Sequence, residues 1–501
     1  MTDNLFQRFK LAVTDPGRPL IRPPDRAPIS YADCFAAAAR FAHVLAHHGV
    51  RPGDRVAVQV EKSPSAVCLY LACLRAGAIF LPLNTGYTPS ELAYFAADAE
   101  PSLFVCATKS LEKISAALPQ LNFLTLGDDG ESGTLIREAE SQPSEFPDAP
   151  VTMSDLASIL YTSGTTGRSK GAMLSHGNLW SNAESLKQVW HFTASDVLLH
   201  ALPLFHTHGL FVAINVSMIS GASMILLPKF DLDAIFRALP LATVMMGVPT
   251  FYTRLLADSR LNSDITRGIR LFISGSAPLL AETHREWQAR TGHAILERYG
   301  MTETNMNTSN PYDGSRVPGS VGKPLPGVEL RIAGNDGAVL PQGEIGVIEV
   351  RGPNVFKGYW RMPDKTATEF RADGFFITGD LGRMDENGYV HILGRDKDLI
   401  ISGGFNVYPK EIESLIDELP GVTESAVVGL PHRDFGEGVT ACVVTRKGVG
   451  LTEKDVLDAL AGRLAKFKHP KRVIFVDELP RNTMGKVQKN LIREKFGKLY
   501  D

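Results

Sequence analysis

The stretch Leu156 to Gly171 constrains this chain more than any other. Leu156 to Leu160 is an apolar run of strand character, and it leads into Thr162-Ser-Gly-Thr-Thr-Gly-Arg-Ser-Lys-Gly171. The second part holds three glycines, five hydroxyls, one arginine and one lysine. Such a composition belongs in a loop at the end of a strand. Glycine lets backbone N–H groups crowd an anion, while hydroxyls and cations add further donors. The chemistry suits a polyphosphate. The pattern differs from a Walker A loop, which requires G-x-x-x-x-G-K-[ST]. Here Gly164 and Gly167 are three residues apart and Lys170 follows three later. Taken alone, the loop also reads as a plain polar turn.

Around it the chain alternates between strand and helix signals. Arg55 to Val60 alternates like a strand, and Ser63 or Ser65 caps a helix that runs to Ala76, with Gly77 just beyond. Ile79 to Leu83 is strand-like and Pro89 to Ala97 helical. This succession predicts an α/β fold with a largely parallel sheet. Residues 127–150, acidic and rich in Gly, Ser and Pro, read as a surface connection. Between 318 and 395, frequent glycines and short β runs predict a small β-rich lobe. From Asp398 onward, strands are expected at Leu399–Ile401, Ser425–Gly429 and Val439–Val444, with helices at Lys410–Ile416 and Glu453–Leu464. The expected organisation is a large N-terminal domain over 1–397 and a small α+β C-terminal domain over 398–501. The polar stretch Gly394 to Asp398 is the hinge between them.

Length and charge narrow the function classes. A chain of 501 residues exceeds a single core. A formal charge of −3 gives no bulk field for nucleic acid or an acidic membrane. The five cysteines (Cys34, Cys68, Cys73, Cys106, Cys442) form no C-x-x-C pair and sit mostly in apolar runs. They read as buried free thiols in a reducing cytoplasm. Met1 to Asp25 is polar and punctuated by proline, unlike a secretory segment. Val197 to Leu227 lacks any Lys, Arg, Asp or Glu but is broken by Pro203, Gly209 and Gly221. A buried strand–loop–helix–strand fits it better than a membrane span.

Further motifs follow in order: Tyr299-Gly-Met-Thr-Glu303, Gly343-Glu-Ile-Gly346, Arg351-Gly-Pro353, Gly358-Tyr-Trp360, Thr378-Gly-Asp380 and Gly394-Arg395. Ser402-Gly-Gly404, Pro409, Glu411, Asn482 and Gly485-Lys486 complete them. Together they resemble the adenylate-forming superfamily of acyl-CoA synthetases, aryl-CoA ligases, luciferases and peptide-synthetase adenylation domains. The resemblance spans nearly the whole chain. It implies that a carboxylate attacks ATP to give an acyl-AMP and pyrophosphate, after which the thiol of coenzyme A displaces AMP.

The resemblance also implies roles. Thr162, Ser163, Gly164, Thr165, Thr166, Gly167 and Lys170 would hold the β- and γ-phosphates. Glu303, with Thr165, would hold Mg²⁺, and Thr302 would donate to the α-phosphate. Ser276, Ala277 and Pro278 would offer backbone contacts to adenine and the acyl carboxylate. Glu297, Tyr299 and Gly300 would line the nucleotide pocket, Tyr299 stacking on adenine. Asp380 would accept from the ribose hydroxyls, with Arg395 beside it. Lys486 would pair with carboxylate and α-phosphate oxygens, Lys397 would be the hinge, and Ser402, Gly403 and Gly404 would lie along the path of coenzyme A. The bland alternatives are a helix-capping Glu303, a turn Asp380 and a plain strand-end turn at Ser274 to Pro278.

The acid is chosen elsewhere. Arg298 precedes the Tyr-Gly-x-Thr-Glu motif, where the family places a residue facing the acyl group. A buried arginine there does not suit an alkyl tail but would take the distal carboxylate of a short diacid. An ion pair with Glu297 or Glu303 is its structural alternative. Phe205-His-Thr-His-Gly209 and Met306 resemble malonyl-CoA synthetases, in which Thr207 and Met306 would touch C2 and His206 would gate the pocket. His200, His206 and His208 raise a metal as a further alternative. Malonate and methylmalonate are not separated, and an aryl or short/medium-chain acyl-CoA ligase or a carrier-protein-loading enzyme are alternative readings. Because acetylation would cancel the charge of Lys486, a protein lysine acetyltransferase is an expected partner.

Overall fold

Buried strands that run the same way need helical crossovers, and this chain supplies them twice. The computed structural model describes residues 3–162, 169–446, 448–461, 463–482 and 485–500. One sheet of six strands has the order Phe123–Leu126, Leu103–Ala107, Arg55–Gln59, Ile79–Pro82, Leu156–Thr162, Lys170–Ser175. Its pairs are parallel except the last, an antiparallel hairpin in which Thr162 faces Lys170. A second sheet of nine strands is parallel from Leu296–Met301 through Leu271–Ser274, Val244–Gly247, Val197–His200 and Ser223–Leu226 to Pro19–Arg22. Antiparallel strands close both of its edges.

One hydrophobic core joins the two sheets. Val56 and Phe80 of the first and Leu198 and Val244 of the second belong to it, with Tyr70, Leu179 and Phe211 from the segments between. Helix Pro64–Ala76 is capped by Ser63, whose side chain accepts from Ala66 N–H, and ends on Gly77 in the left-handed conformation. Gly77 has φ of 69°, which only glycine adopts without strain. The charge-free stretch resolves as anticipated, with strand Val197–His200, a π-helix at His208–Ile214 continuing as α-helix Asn215–Ser220, then strand Ser223–Leu226.

Two expectations change. Residues 127–150 are more than a connection, because Thr134–Ala139 is a helix that buries Leu135 and Ala139. A buried ion pair, Arg75 to Asp148 at 2.7 Å, ties the stretch down. The helix expected to reach Leu464 stops at Leu460.

The β-rich lobe is a four-stranded antiparallel sheet, Glu329–Ala333, Gly346–Arg351, Phe376–Met384 and Val390–Arg395. A short 3₁₀ turn, Asp396–Asp398, leads into a five-stranded sheet that begins at Ile400 and packs helices Pro409–Asp417 and Glu453–Leu460 on a core of its own. All five cysteines are buried and free. No helix among the described residues is long and apolar enough to cross a membrane.

Candidate active site

Side chains and turns at the carboxyl ends of parallel strands converge in open α/β sheets. Here His200, Gly247, Ser274 and the stretch Arg298–Met301 end neighbouring strands of the nine-stranded sheet. Arg298 is 2 % exposed, and its Nε and Nη2 have no hydrogen-bond partner among the described residues. A Cβ on Gly275 would lie 2.4 Å from its guanidinium carbon, so the side chain rests on bare backbone that only glycine provides. Burial brings its pKa down to about 9, opposed by Tyr252 and Glu297, so the group is cationic at neutral pH.

The ion pair expected as an alternative partner is not made. Glu297 accepts from Leu279 N–H at 3.1 Å, its other oxygen is unpaired among the described residues, and burial pushes it up to about 8. Arg298 is thus a buried cation beside a neutral acid.

Other donors and acceptors around Arg298 are equally idle. Thr207 Oγ1, His208 Nε2 and Ser274 Oγ are buried without partners among the described residues. Ser276 sits at φ of 71°, a strained conformation for a non-glycine residue, with its Oγ 3.3 Å from His208 Nδ1. Ala277 is half-buried and Pro278 exposed. Met306 is buried. His206 accepts from His208 N–H at Nδ1, and burial, then Arg298 and Lys486, hold its pKa down at about 4. The histidine metal reading fails on geometry. Both nitrogens of His200 are engaged, Nδ1 with Lys62 at 2.9 Å and Nε2 with the Gly209 carbonyl at 2.8 Å.

A hairpin carries the motif Tyr299-Gly-Met-Thr-Glu303. Leu296–Met301 pairs with Asn305–Ser309, so Thr302 and Glu303 form its tip, which excludes a helix-capping role for Glu303. Glu303 Oε1 accepts from the Tyr359 hydroxyl at 2.9 Å, and burial raises its pKa. Lys170 lies in the strand after the loop, its ammonium 4.2 Å above the Tyr359 ring and 3.5 Å from Glu369. Ser163, Gly164, Thr165, Thr166 and Gly167 lie outside the described residues.

Asp380 is a strand residue rather than a turn residue. It faces Arg395 in register, pairs with its Nε at 2.8 Å and accepts from the Tyr299 hydroxyl. Lys486 reaches this cluster from the C-terminal sheet side. Lys486 is surface-exposed, yet the protein around it displaces enough water that desolvation, then Arg395, lower its pKa while Asp380, Asp398 and Glu303 raise it. Gly485, beside it, would put a Cβ 3.7 Å from Thr250 of the large domain.

Lys397 sits in the 3₁₀ turn and is lowered first by burial. Ser402 is buried, and Gly403 and Gly404 are the two turn residues between strands Ile400–Ser402 and Phe405–Val407. Both have positive φ, 59° and 82°, so a tight hairpin turn explains these glycines independently of any ligand. Sequence reasoning missed Tyr359, although it falls within the Gly358-Tyr-Trp360 motif, and Glu369, which no motif marks.

Residues 10–360 match the AMP-binding enzyme family, and residues 411–486 match the AMP-binding enzyme C-terminal domain. The chain belongs to the AMP-binding enzyme family. Among solved structures, this family member is 61% identical to ATP-bound MatB from Rhodopseudomonas palustris, over 100% of both chains, with a TM-score of 0.98. The apo structure of MatB superposes with a TM-score of 0.88, so the arrangement of this chain is more similar to the ATP-bound form. A malonate–CoA ligase of Arabidopsis thaliana is 35% identical over 89% of this chain and 79% of its own length. A feruloyl-CoA synthase of an Amycolatopsis species is 37% identical over 94% of both.

Glu297 gives a pH signature. Its native pKa, about 8, stands above the ordinary 4.5, so the folded state holds a proton that the unfolded state has released. Its contribution to stability is complete below the unfolded pKa and disappears as pH rises towards the folded one. Glu297→Gln should therefore flatten the fall in stability between about pH 5 and about pH 8, at on the order of 1.4 kcal/mol per pKa unit removed. Urea unfolding at both pH values checks this. A wild-type-minus-variant difference that is the same at both would refute it.

Proposed function

We propose that the protein is an ATP- and coenzyme A-dependent malonate–CoA ligase that works through malonyl-AMP, releasing pyrophosphate and then AMP. The observation that carries the acid is Arg298, a buried guanidinium with two donor atoms unpaired among the described residues and a neutral acid beside it. A monoacid would leave that cation uncompensated at a cost of several kcal/mol. The distal carboxylate of malonate would satisfy it with a bidentate, charge-assisted pair. Thr207 and Met306 would bound C2, with His206 gating the entrance. The likeness to MatB and to the Arabidopsis malonate–CoA ligase supports the reading.

In the first half-reaction the near carboxylate attacks the α-phosphorus in line and pyrophosphate departs. Two anions must meet, so catalysis rests on charge neutralisation and alignment. Lys486 would pair with the attacking and α-phosphate oxygens, and Thr302 would donate to the α-phosphate. Asp380 spends one oxygen on Arg395 and the other on Tyr299, which leaves a lone pair on each for the ribose hydroxyls. Lys170 and the loop before it would hold the leaving pyrophosphate. Mg²⁺ would neutralise phosphate charge when bound. The single buried carboxylate of Glu303 fits an ion that takes most of its ligands from substrate and water. In the second half-reaction the C-terminal domain, 398–501, would turn about Lys397 and bring the Ser402–Gly404 turn to coenzyme A.

An acid panel followed by pyrophosphate release tests the substrate. Arg298→Ala should lower kcat/KM for malonate by roughly 10²-fold or more while sparing propionate. Preference of the wild type for feruloyl-like or medium-chain monoacids would refute the assignment.

The half-reactions separate the two lysines. Lys486→Ala should lose about 10²–10³ in acyl-AMP formation yet still convert preformed acyl-AMP to thioester. Lys397→Pro should do the reverse, and equal losses in both half-reactions would sink the scheme. Acetylation by a lysine acetyltransferase would mimic Lys486→Ala. Mass spectrometry finding Lys486 unmodified under every growth condition would count against that control.

A further inference from the structure

Lys62 is a buried lysine that the reaction does not use. It stands between strand Arg55–Gln59 of the six-stranded sheet and Ser63, the cap of helix Pro64–Ala76. Its ammonium crosses to the other sheet and donates to the carbonyls of His200 at 2.8 Å and Leu202 at 2.9 Å. The third contact is His200 Nδ1 at 2.9 Å. All three ammonium protons are thereby satisfied. With Lys62 as the ammonium, the tautomer of His200 follows. Its Nε2 lies 2.8 Å from the Gly209 carbonyl, which only accepts, so Nε2 carries the proton and Nδ1 receives one from Lys62.

The two ends of this relay bracket one segment. Lys62 grips the chain at residues 200 and 202, and His200 grips it again at 209. Between those points stand His206, Thr207 and His208. The turn is tight, since a Cβ on Gly209 would lie 2.0 Å from the Pro203 carbonyl oxygen. Gly209 belongs to the π-helix His208–Ile214, a geometry that recurs at functional sites.

Keeping a buried ammonium without a carboxylate is expensive. Burial alone drives the Lys62 pKa down, and no charged partner among the described residues offsets it. Replacement of this lysine by an apolar residue would remove that expense, so its presence here calls for a role.

We infer that Lys62 is a positioning residue for the acid pocket, its ammonium and His200 fixing the 203–209 turn from across the sheet interface. The inference rests on the reading of that turn as the acid site. It concerns the acid that the enzyme binds and leaves the ATP side untouched.

The test is Lys62→Met, which keeps most of the apolar stem and removes the ammonium. For the acid that wild type prefers, KM should rise roughly tenfold or more, while KM for ATP stays within about twofold. A purely structural role would move both together or lower melting temperature alone, and either result overturns the inference. Should Lys62→Met fail to fold, two His200 variants decide. His200→Gln can still donate to Gly209, whereas the amide of His200→Asn, one methylene shorter, replaces only the nearer ring nitrogen and can accept from Lys62 through Oδ1. His200→Asn should raise the acid KM more than His200→Gln with ATP unaffected, and the opposite order or no change overturns the inference. If wild type rejects malonate, the proposed function falls. The Lys62 outcome is then read on the acid actually used.

Discussion

Positive charge held in a dry place without a matching carboxylate governs this molecule. Arg298 and Lys62 are both buried, Arg298 has two donors unpaired among the described residues, and Lys62 is satisfied only by neutral acceptors. A protein interior tolerates such charges poorly, and burying them takes from the stability that the core provides. The same desolvation that makes them costly makes them strong, because an anion entering the site meets little competing water. Neutral surroundings keep this tension intact. Glu297 is held protonated, and His200, His206 and His208 have depressed pKa values, so none of these neighbours discharges the field.

Much of the architecture was legible because local signals agree with one another. Ser63, Pro64 and Gly77 mark both ends of one helix, and Pro203 and Gly221 fall where the structure divides the 197–227 stretch, although Gly209 lies inside the π-helix. Asp380 and Arg395 were legible for the same reason, since each sits in a strand and their register sets them face to face, while Tyr299 reaches Asp380 from a strand of another sheet. Lys486, more than ninety residues beyond Arg395, shares their electrostatic environment.

What was hidden depends on contacts between distant segments. Nothing near Lys62 announces that it will meet His200, since Lys62 follows a strand of one sheet and His200 ends a strand of the other. Glu369 reads as an ordinary helix-end acid until Lys170 arrives beside it. Glu297 and Arg298 are neighbours of opposite formal charge, and an ion pair is the natural expectation. Burial overrides it by neutralising the acid. The short helix Thr134–Ala139 was lost among turn-forming residues because its periodic signal covers less than two turns.

The hairpin at Gly300 has one more consequence. A methyl group there would lie 1.8 Å from the Asn305 carbonyl oxygen, so the two strands approach closely enough to forbid any side chain. The spacing of Thr302 and Glu303 from the sheet is therefore set by backbone alone and has almost no room to drift. Arg298, Thr207 and Met306 face no such prohibition, since each contributes through its side chain. Exchange at those three positions leaves the backbone spacing of the hairpin intact, whereas any side chain at position 300 would force its strands apart.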